Sequence, residues 1–231
     1  APDFGIDPEE IFLESISVPM ATLRAGKMKL ALGKHNGLHT HAFPFIDAPL
    51  IHQALLGDEG LNEMAVSAAI LFPFDWYSEI TLQGFNPSNE TLYDSPNSGD
   101  VGGLASLKNL WDLNDDLTVE LGLFGSAGKN QLDRTSSVLG SDLTWKWRPT
   151  VLGKYRALIW SSEYLKGHRP GLTDAVSSEP TEDLGGLATW VQYQFARRWW
   201  IEGRYDLIGL PIDAGSNQQN KQSAMIGFFL S

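Results

Sequence analysis

Along most of its length the chain alternates apolar and polar residues with a period of two, and few folds accommodate that pattern. The run from Asp142 to Arg148 places Leu143, Trp145 and Trp147 on one face of an extended segment and Asp142, Thr144, Lys146 and Arg148 on the other. In 199–207, Trp199, Ile201, Tyr205 and Leu207 oppose Glu202, Arg204 and Asp206. Met64, Val66, Ala68, Ile70 and Phe72 oppose Glu63 and Ser67, and Ile80 and Leu82 oppose Glu79, Thr81 and Gln83. Val119, Leu121 and Leu123 oppose Thr118 and Glu120, while Val191, Tyr193 and Phe195 oppose Gln192 and Gln194. Met28, Leu30 and Leu32 oppose Lys27 and Lys29. A face carrying three charges needs water or mutual pairing, so each strand has one greasy side and one wet side.

The pattern predicts about eleven strands, near 12–18, 22–33, 61–73, 77–86, 101–111, 117–126, 141–148, 154–165, 186–196, 199–208 and 222–230. The stretch 154–165 alternates poorly, which points to a bulge. No segment reads as a long amphipathic helix. Short turns fall at Pro19-Met20, 73–76, 112–116, 149–153 and Arg197-Arg198, and between them lie long polar connections at 34–60, 87–100, 127–140, 166–185 and 209–221. Regular alternation of short and long links along a meander gathers the short turns at one end, as in transmembrane barrels. Phe72, Phe74, Trp76, Tyr77, Trp111, Trp145, Trp147, Phe195, Trp199 and Trp200 flank the short turns, which suits an aromatic girdle at a membrane–water boundary.

Composition narrows the functions. No apolar run is long enough for a spanning helix, but a spanning barrel leaves no such run. The formal charge of −11 argues against nucleic acid, and the absence of cysteine excludes disulfides, thiolate metal sites and a cysteine nucleophile. With 231 residues the chain is large enough for a single barrel domain. No G-x-S-x-G, H-E-x-x-H or G-x-G-x-x-G motif occurs, and an enzyme is not expected. The run Gly125-Ser126-Ala127-Gly128-Lys129-Asn130 looks like part of a phosphate loop, but its glycine is misplaced, and it reads better as a strand leading into a loop.

Two candidate sites follow. Four of the five histidines, His35, His39, His41 and His52, fall in one long connection. Imidazoles so close in sequence suit zinc or copper, with Asp47, Asp58 and Glu59 as added oxygen donors, although the spacing matches no zinc signature and ordinary loop structure or pore lining explains them better. The second site is the wet face of the strands. Lys27, Lys29, Lys108, Lys146, Arg148, Arg156 and Arg204 would line a barrel interior together with Glu63, Glu79, Glu120, Glu202 and Asp206, either setting ion preference or pairing across strands to stiffen the wall.

The run GKHNGLHTHAFPFIDAPLIHQALLGDEGLNE at 33–63, with LKNLWDL at 107–113 and WVQYQFARRWWIEGRYDLIGLP at 190–211, resembles porin-like outer-membrane proteins of Gram-negative bacteria. Some members carry the label zinc-regulated TonB-dependent outer-membrane receptor, and others are distantly similar to phosphate-selective porins. The resemblance implies an outer-membrane location and a barrel. It implies no substrate, and a chain of this length cannot supply the plug domain and about 22 strands of a TonB-dependent receptor. An odd strand count, and an end at Phe228-Phe229-Leu230-Ser231 without a terminal aromatic, suggest a further strand or a segment of a longer barrel. The sequence therefore predicts an all-β, antiparallel up-and-down transmembrane barrel of about 11–12 strands. Its expected function is passive passage or uptake of small solutes or ions, with the 34–60 connection folded inward or over the mouth. Its partners would be the lipid bilayer and the solute, and assembly into homo-oligomers is left open. The alternatives are a transition-metal binding or uptake protein built on the histidines and a soluble β-barrel binding module.

Overall fold

The computed structural model describes residues 9–39, 42–172, 183–210 and 218–228. Among these residues eleven strands pair in an antiparallel meander: β1 (Ile11–Ser15), β2 (Ala21–Lys29), β3 (Asn62–Leu71), β4 (Tyr77–Phe85), then β7 (Gly102–Asn114), β8 (Leu117–Lys129), β9 (Thr135–Trp147), β10 (Ala157–His168), β11 (Asp183–Ala196), β12 (Trp199–Ile208) and β13 (Gln219–Phe228). The two-residue strands β5 (Ser88–Asn89) and β6 (Tyr93–Asp94) form a separate small hairpin. Among the described residues of the β2–β3 connection lie two short helices, α1 (Gly33–Asn36) and α2 (Leu50–Leu56). Each long strand pairs with its sequence neighbour, so successive links fall at alternate ends of the sheet; the longest, 30–61 and 86–101, share one end, which also holds the five-residue 130–134 link, and the opposite end holds the two-residue links 115–116 and 197–198.

The sheet is rolled round an interior that one inserted segment, 30–61, fills. From that segment Ala31 reaches β4, Lys34 reaches β8 and β9, His52 reaches β10, and Asp47 reaches β12 and β13. A flat sheet could not touch one short segment with strands so far apart in its order.

The two faces of the rolled sheet are inverted relative to a water-soluble protein. Met64, Val66, Leu82, Leu123, Leu139, Ile201 and Ile226 are exposed on the outside, whereas Glu63, Glu120, Asp142, Glu163, Arg204 and Asp206 are buried on the inside. The interior is itself layered. Next to the long connections it is dry: Leu104, Phe124, Val138, Leu165, Leu184 and Ile208 of the wall pack on Leu30, Leu32, Ile51, Leu55, Leu56 and Leu61 of the inserted segment. Toward the short turns ionic side chains replace them.

Three sequence expectations change. The face of β2 is reversed: Met28 is only 2% exposed and, with Leu30 and Leu32, joins the interior core. Lys27 instead aligns with Met64 and Ile11, on the outward face. The expectation assumed a wet interior, but here the inserted segment makes it dry. The bulge expected in 154–165 is absent, because β10 pairs without a break with both β9 and β11; register shifts fall instead at Asp112/Asn114 and Gln194/Ala196. The connection expected at 127–140 shrinks to 130–134, where the buried Asn130 side chain accepts from the amides of Leu132 and Arg134. The phosphate-loop-like run accordingly lies almost wholly in β8.

Candidate functional site

The inserted segment is fixed at its stem by Asn36, whose amide donates to the carbonyls of Leu30 (2.8 Å) and Leu61 (3.1 Å) and accepts from the Leu61 N–H (2.8 Å). Gly33, at φ 70°, lets the chain turn into α1; a Cβ there would lie 2.0 Å from Glu163 Oε1. Pro49 opens α2 and Gly57, at φ 73°, closes it. Ile51, His52, Leu55 and Leu56 are its buried face, at the i, i+1, i+4 and i+5 spacing of a one-sided helix.

Polar and charged side chains dock this segment against the wall at three places, Lys34, His52 and Asp47. Lys34 Nζ lies 3.4 Å from Glu120 Oε1 and donates to Thr144 Oγ1 at 2.7 Å; Thr144 in turn shares a hydrogen bond of 2.8 Å with Ser161. Lys108 and Lys146 approach the same Glu120 at 3.2 and 3.3 Å, so one buried carboxylate faces three ammonium groups. Burial pulls the Lys34 pKa down against the opposing attraction of Glu120. Glu163 accepts the Lys34 backbone N–H at 2.9 Å through Oε1, and its Oε2 lies 3.1 Å from His52 Nε2. Arg204 donates to the Asp47 carbonyl (2.8 Å) and to Asp47 Oδ1 (2.7 Å), packs its guanidinium 4.9 Å from the Phe45 ring, and lies 3.0 Å from Asp206. Lys221 binds the other Asp47 oxygen. Burial works against the Asp47 carboxylate, but the hydrogen bonds from Lys221 and Arg204 outweigh it and hold the carboxyl below its ordinary range.

The expected wet-face residues are distributed unevenly. Glu120, Arg204 and Asp206 form the docking contacts just described, and Lys108 and Lys146 flank Glu120. Glu79 stands beside Lys108 in the ladder, and Glu202 beside Gln192 and Met225. Glu63 is buried beneath the β5–β6 hairpin, where it accepts from Ser88. Lys29 ends β2, 3.7 Å from Glu9, and Lys27 faces outward; neither lines the interior wall as expected. Arg148 and Arg156 stand at the short-turn rim, just outside the strands.

Among the described residues the expected histidines are divided between two places. His35 and His52 meet, ring centroids 5.0 Å apart, with Phe43 4.3 Å from His35. His39 lies instead between Glu9 (2.9 Å) and Glu10 (3.0 Å), and His41 is outside the described residues. Asp47 is taken by Arg204 and Lys221, while Asp58 and Glu59 are exposed. Among the described residues no group of three or more metal-ligating side chains converges. Burial, then the neighbouring His52, pushes the His35 pKa down to about 3, so that imidazole is neutral at physiological pH. Lys34 and Glu163, absent from the expected site, carry no local motif, and Thr144 shows in the sequence only as one polar position of the 142–148 alternation; the docking of α1 gives all three their role.

No protein-family model matches the chain. It is 28% identical over 233 residues to an uncharacterized protein of Aquifex aeolicus (strain VF5), an alignment covering 88% of this chain and 48% of that protein. The chain thus spans about half the length of the curated relative it matches. A solved structure of the NanC porin, in a rhombohedral crystal form, aligns over 73% of this chain and 80% of its own, with 13% identity and a TM-score of 0.40.

Proposed function

We propose that the chain forms a passive, non-enzymatic channel for small solutes or ions in the outer membrane of a bacterium, its interior gated by the inserted segment 30–61. The observation that carries this reading is the inversion of the two faces. Exposed Val66, Leu123 and Ile226 would be costly in water and favourable against lipid, while Glu120, Arg204 and Asp206 require a polar interior. The aromatic residues support it, since Trp76, Trp145, Phe195 and Trp199 are exposed on the outside near the short turns. A soluble binding module would place its apolar face inward. A histidine-based metal-uptake protein has less support, because among the described residues only His35 and His52 converge.

Passage requires the inserted segment to yield, and Asp47 is the anchor that joins it to two strands at once. Reconstituted into planar bilayers, the protein should show discrete conductance steps that become larger or more frequent in Asp47→Asn, which keeps the side-chain shape but loses the charge held by Arg204 and Lys221. Protein that inserts yet stays silent in both forms would overturn the channel reading.

A further inference from the structure

The turns β9–β10 and β11–β12 lie side by side at the short-turn end, and between them they carry Arg148, Lys154, Arg156, Arg197 and Arg198 with no acidic residue in 148–156 or 197–198. In a chain of formal charge −11 that is a local reversal of sign. Four of these cations, Arg148, Lys154, Arg197 and Arg198, converge with Gln194 and Trp200 on a cavity of about 520 Å³. Gln194 and Trp200 are partners in the β11–β12 ladder on its inward face, so the cavity opens on the interior side of the rim rather than toward lipid.

The frame is built, not incidental. Gln194 is 6% exposed, and its Nε2 donates to the carbonyls of both Lys154 (3.3 Å) and Arg197 (3.2 Å), binding the two turns to each other. Arg148 is held by its backbone N–H on the Asp116 carbonyl at 2.8 Å. Its stem lies across Gly153, where a Cβ would come 2.9 Å from Arg148 Cγ. Asp116, on the adjoining turn, has its carboxylate engaged by the Thr150 amide (2.7 Å) and hydroxyl (2.6 Å). Among the described residues no carboxylate pairs with Arg148, Lys154 or Arg197. Like charges collected on a fixed frame repel one another until an anion sits among them, and guanidinium groups match the geometry of tetrahedral oxyanions.

We infer that this cavity is an oxyanion site that takes a phosphate group at the short-turn mouth. The phosphate belongs either to a solute arriving at that mouth or to a phospholipid headgroup at the adjacent membrane surface. The site goes beyond the channel reading and does not depend on it, since binding is measured without conduction. The test is titration calorimetry on the full chain folded in zwitterionic detergent at low salt, with inorganic phosphate as the first probe and dihexanoyl phosphatidylglycerol as the second. Phosphate should bind, and both Arg197→Gln alone and Arg148→Gln/Arg197→Gln together should weaken it, the pair by about tenfold or more. Lys166→Gln, near the opposite end of β10, should leave binding unchanged. Retained heat-modifiable migration on gels certifies that each variant is folded. Binding of the lipid without inorganic phosphate keeps the oxyanion site and assigns it to a headgroup. No binding of either probe by the wild type, or binding that the folded variants retain in full, overturns it, whatever the bilayer recordings show.

Discussion

His35 is the residue whose burial has the plainest thermodynamic consequence. It lies against Phe43 and His52, with Arg204, Lys29 and Asp47 as its other charged surroundings, and its folded pKa of about 3 is far below the unfolded value. The unfolded chain therefore binds a proton near pH 6.5 that the folded chain refuses. Stability from this group is complete above that pH and falls as the solution is acidified toward the folded value. Between pH 7 and pH 5 the loss amounts to about 2 kcal/mol. His35→Phe, which keeps a ring beside Phe43, should flatten that part of the profile. Urea midpoints in detergent micelles at the two pH values check it, and an unchanged slope in the variant would refute the assignment. The Asp47 contacts behave in the same sense but in a more acidic window: a carboxyl held below its ordinary range stays ionised at neutral pH, and its contribution is lost only as pH falls below about 4.

At the scale of elements, the inserted segment depends on a single backbone turn. Gly33→Ala must place a methyl group against Glu163 Oε1 and 2.8 Å from Phe124 Cζ, at a φ that side chains avoid. α1 would be displaced, and with it the contacts of Lys34 to Glu120 and Thr144, for a cost of about 1–3 kcal/mol. Proteolysis in detergent should then cut within 34–60 faster than in the wild type, with the strands left intact; equal rates would show that α1 tolerates the change. The strands themselves were readable because a period of two is local: all eleven lie where the alternation puts them. The extent of β9 was hidden by the small polar run Thr135-Ser136-Ser137, which has no apolar partner face to display. The docking contacts were invisible for a different reason. Lys34 meets Thr144 across 110 positions and Asp47 meets Arg204 across 157, and a local pattern holds no information about which charge faces which. The error on β2 shares that origin, since whether Met28 faces lipid or core depends on what fills the interior.

For the whole molecule, the decisive quantity is the sign of the outer face's preference for water. An exposed leucine on a soluble protein gains or loses little when replaced by arginine, and solubility improves. On the lipid face of a spanning barrel the same change costs about 2–4 kcal/mol near the midplane and much less near the rims. Leu123 stands near the middle of β8, 48% exposed, and Val66 near the middle of β3, 66% exposed. Leu113, at the short-turn end of β7, is exposed as well but belongs to the rim. Folding from urea into phosphatidylcholine vesicles should therefore be impaired by Leu123→Arg and Val66→Arg and nearly unaffected by Leu113→Arg. Brominated lipid adds a second reading, because outward Trp145 and Trp199 should be quenched while Trp190, buried against Phe45 and Ala188, should not. If all three arginine variants fold as well as the wild type and bromine quenches nothing, the outer face meets water, and the inversion of faces must have another cause than lipid.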